Sequence, residues 1–310
     1  MAKYVLYLLF ILGTLTVTAQ QDAQFTQYMY NTQVVNSAYT GSRENLGITG
    51  LHRSQWVGLD GAPTSQTLSL SSPVSERVGL GFSFVNDEIG NGTIQDSFFQ
   101  GVFAYHLPAG PATLSFGLSA GASFLNVNFA NLTNYDASTA PVGSGDVYKK
   151  FSPTVGAGIY FHNEKFYVGL STPSFLKTEH FDTDDTNDSS IYLENITWYG
   201  ITGYVFDLGD KTKFKPATLV KLTNGAPLAV DVSANFMFNQ KFILGGAYRI
   251  NNALSGLLGF QLNEKLLMGL AYDKETARLG GETFNNGSFE VFLRYEFIKK
   301  EKIDLTPRFF

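Results

Sequence analysis

Between Leu46 and Phe297 apolar residues exchange places with small or polar ones at almost every step. Leu114, Phe116, Leu118, Ala120, Ala122 and Phe124 fall on one side of a pleated strand, and Ser115, Gly117, Ser119, Gly121 and Ser123 fall on the other, because successive strand side chains point to opposite faces. The same pattern returns where Val78, Leu80, Phe82 and Phe84 alternate with Gly79, Gly81 and Ser83. Leu228, Val230, Val232, Ala234, Phe236 and Phe238 alternate with Asp231, Ser233 and Asn235, and Phe289, Val291, Leu293, Tyr295 and Phe297 oppose Glu290, Arg294 and Glu296. A period of two predicts strands with one greasy and one wet face.

Read this way, strands lie near 46–57, 64–72, 77–86, 95–106, 112–126, 152–162, 165–171, 195–206, 212–222, 227–238, 241–250, 253–262, 265–273 and 287–297. A soluble sandwich of two sheets also alternates. Two observations separate the cases. Aromatics stand at strand ends, at Trp56, Tyr105, Tyr160, Trp198 and Tyr248, as in the girdles where rings meet lipid head groups. Connection lengths also alternate. After even strands they are tight, and three are Asn-x-Lys turns, at Asn163–Lys165, Asn239–Lys241 and Asn263–Lys265. After odd strands come the long ones, Asn126–Phe151, Ser171–Glu194 and Lys274–Asn286. The pattern predicts an all-β fold, a transmembrane antiparallel β-barrel of about 14 strands over 46–297, with short periplasmic turns, long extracellular loops and both termini periplasmic. Pro216 is the discordant residue, since Pro removes a ladder hydrogen bond, and it predicts a bulge or a strand boundary there.

The N-terminus supplies the compartment. Lys3 precedes an apolar run from Val5 to Val17, with small residues before Gln20; residues 1–19 therefore read as a cleaved signal peptide, too short to span a bilayer. Residues 20–45 are rich in Gln, Asn and Tyr and show no period, so they form either a lumen plug or a periplasmic contact. Residues 298–310 are read as a periplasmic tail, serving either as a barrel-insertion signal or as a periplasmic contact. Mean hydropathy of −0.02 does not argue against a barrel, because only alternate residues meet lipid.

Composition then removes other classes. The chain has 310 residues and a net charge of −5, without cysteine, which excludes disulfides, thiolate metal sites and Cys nucleophiles. An acidic balance also speaks against nucleic acid as a partner.

Candidate chemistry is sparse. Gly117-Leu118-Ser119-Ala120-Gly121 matches the G-x-S-x-G nucleophile elbow, but that motif needs a strand-to-helix turn. Here Gly, Ser and Gly share one face of a strand, which reads as lumen packing, with a lumen-rim hydrolase as the remote alternative. His52, His106, His162 and His180 lack a second ligand at metal spacing. Asp182, Asp184, Asp185 and Asp188 invite a calcium reading, yet counting from Asp182 puts Asn187 where the EF-hand glycine belongs and Leu193 where the closing Glu belongs. They read as a solvated loop available to a partner. Asp231, Arg249, Glu290, Arg294 and Glu296 should face inward, either lining a solute path or tying strands by ion pairs. Unlike charges on neighbouring strands favour the ties. No catalytic residue, metal or cofactor is expected.

One block of residues adds a resemblance. Asp22–Asn31, Asn36-Ser37-Ala38-Tyr39-Thr40-Gly41 and Arg53-Ser54-Gln55-Trp56-Val57-Gly58-Leu59-Asp60-Gly61-Ala62-Pro63-Thr64 resemble the PorP/SprF family of type IX secretion proteins. The specific part covers about the first fifth of the mature chain. Downstream the likeness rests on length, strand content and the Pro307–Phe310 ending, and Asn36-Ser37 stands where the family pattern has Asn-Pro. The resemblance implies an outer-membrane barrel that works with other type IX components and helps export, capture or anchor a large surface protein, such as a gliding adhesin, through that protein's C-terminal domain. Arg53, Gln55, Trp56 and Asp60 then become candidate partner contacts beside the four aspartates, the alternative being a tight Gly-Leu-Asp-Gly turn with Trp56 in the girdle. From another functional class, an outer-membrane pore for passive or ligand-gated solute transport is the competing reading.

Overall fold

The computed structural model of the protein describes residues 24–128, 147–176, 178–181, 190–276 and 286–298. The expected signal peptide, the aspartates from Asp182 to Asp188 and the segment after Ile298 lie outside the described residues. Strands run in the order β1 (Leu46–Ser54), β2 (Thr64–Ser75), β3 (Val78–Ile89), β4 (Ile94–Ala109), β5 (Ala112–Val127), β6 (Val147–His162) and β7 (Phe166–Thr172). A short hairpin of β8 (Thr178–Phe181) and β9 (Ser190–Glu194) stands apart as its own two-stranded sheet. The wall resumes with β10 (Thr197–Tyr204), its two-residue continuation β11 (Phe206–Asp207), β12 (Thr212–Thr223), β13 (Ala229–Phe238), β14 (Phe242–Arg249), β15 (Ala253–Asn263), β16 (Leu266–Glu275) and β17 (Ser288–Phe297).

Every neighbour pair is antiparallel, and the ring is unbroken: β10 pairs with β12 from Thr197↔Thr223 to Gly203↔Ala217, and β1 meets β17, the first strand against the last, from Leu46↔Phe297 to Ser54↔Phe289. The result is a closed barrel of 14 strands, β1–β7, β10 and β12–β17, which leaves no sheet edge to seek a partner. The predicted alternation sets its faces. Leu118 is 60% exposed on the outside, whereas Ser119 beside it is 4% exposed on the inside. Lipid is the solvent that makes an exposed leucine favourable, so the greasy face is the outer one.

Three features of the wall differ from the sequence expectation. β4, β5 and β6 each run 16 residues, longer than the predicted segments, because alternation marks only the lipid band and a crossing takes about 9–11 residues. The remainder pairs above that band, where Tyr148-Lys149-Lys150 no longer alternates. Pro216 sits in register opposite Ala234 with no bulge in β12. Its missing N–H falls where the ladder to the preceding strand lapses between Gly203↔Ala217 and Phe206↔Phe214, then resumes in the same register. Tyr160 also corrects the girdle assignment: it is 1% exposed and points inward, since Ile159 beside it takes the outer face.

Tight turns share one rim: Ser75 to Val78, Ala109 to Ala112, His162 to Phe166, Asp207 to Thr212, Phe238 to Phe242 and Asn263 to Leu266. The Asn-x-Lys turns use two devices. Asn163 Oδ1 accepts the backbone N–H groups of Lys165 and Phe166, both at 2.8 Å, and Asn263 Oδ1 accepts those of Lys265 and Leu266 at 2.9 and 3.0 Å. In the third, Asn239 and Gln240 adopt φ of 51° and 54°, the paired left-handed conformation of a two-residue hairpin turn.

Candidate functional site

The lumen is occupied. Residues from Phe25 to Gly41 cross it as three short turns, Tyr28–Tyr30, Thr32–Val35 and Ser37–Tyr39. Their lack of period has a physical cause: the segment is surrounded by wall, so it has no solvent face. Nearly all of it is buried, and Phe25, Tyr28, Met29, Tyr30, Val35 and Tyr39 share one core with inward residues of the ring. Tyr30 stacks on Phe292 with centroids 4.4 Å apart, and Tyr39 meets Tyr160 edge-on at 5.7 Å.

Buried polar groups need partners, and the segment takes them from β2, β3, β6 and β7. Asn31 Nδ2 donates to Thr67 Oγ1 at 2.6 Å, Gln33 Nε2 to the carbonyls of Leu70 and Phe82 at 3.0 Å, and Asn36 Nδ2 to the Ile159 carbonyl at 3.2 Å. Ser171 Oγ donates to the Val35 carbonyl at 2.7 Å. Inner-face glycines make the close approach possible. A Cβ on Gly117 would collide with the backbone of Ala38, and one on Gly158 with the Asn36 side chain. The G-x-S-x-G sequence is part of this seat, and Ser119 lies on an uninterrupted strand.

An ionic cluster holds the start of the segment. Arg53 Nη1 lies 2.6 Å from Asp273 Oδ2 and 3.3 Å from Glu290 Oε2. The Thr26 hydroxyl accepts from Arg53 at 3.0 Å and donates to Asp273 at 2.7 Å, while the N–H groups of Thr26 and Gln27 donate to Glu290 at 2.9 and 2.7 Å. Three strands, β1, β16 and β17, thus converge on two residues of the inner segment. Arg53 is 1% exposed, which corrects its place among the partner contacts. It ends β1 on the inward side, between outward His52 and half-buried Ser54.

The other four inward charges are ties as well. Arg249 and Asp231 face each other across β13 and β14, with Nε–Oδ1 at 2.8 Å and Nη2–Oδ2 at 3.3 Å. Glu296 pairs with Arg43 at the exit of the inner segment. Arg294 donates to the Tyr30 carbonyl. Sequence reasoning missed Asp273 and Thr26. The signal for Asp273 was present, a lone carboxylate two residues beyond Ala271 on the inner side of an alternating strand.

Gln55, Trp56 and Asp60 lie at the rim opposite the tight turns. Trp56 takes φ of 43°, keeps its ring exposed, and its Nε1 donates to Glu275 at 3.3 Å. The backbone N–H of Gln55 donates to the Pro63 carbonyl at 2.9 Å, and Asp60 accepts from Asn91 at 2.8 Å. The loop is a folded platform tied to its neighbour. Among the described residues no group of three His, Asp or Glu converges as a metal site.

The profile of the type IX secretion system membrane protein PorP/SprF matches residues 17–295. The chain belongs to the PorP/SprF family. It is accordingly a type IX secretion membrane protein of the outer membrane. A comparison with curated proteins returns no match. Solved barrels that the family member resembles include Acinetobacter baumannii Omp33, with 8% identity over 83% of this chain and 100% of that one at a TM-score of 0.48. A Pseudomonas aeruginosa FadL homologue shares 13% identity over 88% and 94% at 0.47, and the CymD monoaromatic hydrocarbon channel 11% over 89% and 94% at 0.47. At these scores the likenesses carry no argument about function, and the PorP/SprF assignment rests on the family match.

Proposed function

We propose that this PorP/SprF barrel is a plugged, non-enzymatic accessory of the type IX secretion system that helps export, capture or anchor a large surface protein. The observation that carries the reading is the inner segment, which fills the lumen and is fixed to strands around the ring. A wall closed around its own chain is a poor solute path and a rigid support for loops. In this reading the long-loop rim faces outward, and the tight turns and both termini face the periplasm.

The residues that engage the exported protein's C-terminal domain are then Gln55, Trp56 and Asp60 of the platform, together with Asp182, Asp184, Asp185 and Asp188, which lie outside the described residues. Other type IX components and outer-membrane lipid complete the set of partners. The test is to delete the gene and catalogue the proteins at the cell surface. Loss of one or a few large surface proteins is expected. An unchanged surface with reduced small-solute uptake, together with steady conductance of the purified barrel in planar bilayers, would instead establish a pore.

A further inference from the structure

The tight-turn end of the lumen opens into a vestibule of about 760 Å³ that reaches down to Arg43 and to Arg294, whose guanidinium donates to the Tyr30 carbonyl of the inner segment. Its walls carry Lys213, Lys241, Lys265, Arg43 and Arg294 against Glu264 and Glu296. Glu296 is engaged by Arg43, and Lys213 reaches Asp207 at 3.1 Å. Lys241 and Lys265 make no ion pair among the described residues. Strand parity explains why they line the opening: Lys241 is two residues before inward Ile243, and Lys265 is two before inward Leu267. The Asn-x-Lys turns thus present a cation to the mouth in two neighbouring hairpins. At the floor Arg294 is 4% exposed, with one hydrogen bond to the Tyr30 carbonyl and no carboxylate in salt-bridge range among the described residues. A buried guanidinium without a carboxylate is costly unless an anion reaches it.

We propose that this vestibule binds an acidic peptide segment of a protein partner, its carboxylates taken by Arg294 and the turn lysines. The spacing argues for a chain over a small anion. Lys241 and Lys265 stand two strands apart, and strands are about 4.8 Å apart, so the two lysines are separated by about 10 Å of rim, with Arg294 deeper in the vestibule. A short extended peptide, at about 3.4 Å per residue, can place carboxylates at all three. One phosphate cannot. That the partner is periplasmic rests on the orientation given under Proposed function, whereas the binding itself does not.

The experiment uses full-length protein in detergent, with labelled hexaglutamate and hexaglutamine followed by fluorescence anisotropy. Hexaglutamate is expected to bind and hexaglutamine not, with affinity falling as salt rises. The double variant Lys241→Gln/Lys265→Gln, altered only at exposed turns, should weaken hexaglutamate by about tenfold or more. Arg294→Gln should do likewise where its gel mobility still shows a folded barrel. Equal binding of the two peptides, or an undiminished double variant, would overturn the proposal. So would displacement by inorganic phosphate as effective as the peptide itself, which would mark the vestibule as a small-anion site. Gln240→Cys tests the orientation separately, in a chain that otherwise lacks cysteine. Labelling of intact cells by an impermeant maleimide would reverse the compartment and leave the peptide result standing.

Discussion

The wall of the barrel and the segment inside it both bury polar side chains, yet they are built on opposite logic. A wall strand has two solvents, lipid outside and packed chain inside, and its sequence records both by alternation. The inner segment has one environment on all sides, so position carries no periodic trace, and its side-chain amides find their partners one at a time, as Asn31 does at Thr67 and Asn36 at Ile159. The difference teaches that order in a sequence reflects how many environments a chain meets, and that the least patterned stretch here is among the most tightly held.

The largest expected effect comes from the residue that joins the two regions. Arg53→Met would leave Asp273 and Glu290 buried without their cation, and breaking such a cluster destabilises by about 3–5 kcal/mol. Thermal unfolding in detergent should show it, and a small change there would mean that the cluster is not what ties segment to wall. Next, the two faces of one strand can be set against each other. Leu118→Arg should destabilise by about 2–4 kcal/mol in lipid, while Ser119→Ala should fall within about 0.5 kcal/mol and leave membrane lipid profiles unaltered. Equal effects would mean that the outer face does not meet lipid.

A third comparison uses glycines. Gly158→Val, which intrudes on Asn36, should cost about 1–3 kcal/mol through overpacking and raise proteolytic cleavage of the inner segment. Gly101→Ala faces outward, its added Cβ meeting only the Ala120 carbonyl at 3.7 Å, and should be neutral by the same assay. The smallest effect is expected at the turns. Asn263→Ala removes an acceptor shared by two backbone N–H groups and should cost about 1 kcal/mol, read from the same melts.

These contrasts also explain what could be read in advance. Strand number and facing were legible from Leu118 and Ser119 and their repeats, because lipid imposes a strict rule. The tight-turn rim was legible from three Asn-x-Lys sequences, because a turn's conformation is local. Tyr160 was misplaced, since an aromatic near a strand end suits a girdle and a lumen equally until parity is counted. Arg53 was misplaced because its neighbours in the motif, Trp56 and Asp60, do lie at the surface. The path of residues 25–41 was illegible for the reason given above, and Pro216 was misread because its tolerance depends on the partner strand.

The position of Arg53 bears on how the molecule comes to exist. It stands on the first wall strand, directly opposite Glu290 on the last, and the chain that fills the ring enters immediately before that first strand. The bore cannot be filled after the ring has shut without threading, so the final zip between the chain's two ends and the seating of its leading stretch become a single cooperative event. Pairing of such distant partners is slow, and here the strands that must meet last are the ones whose Arg53 and Glu290 also hold the inner segment.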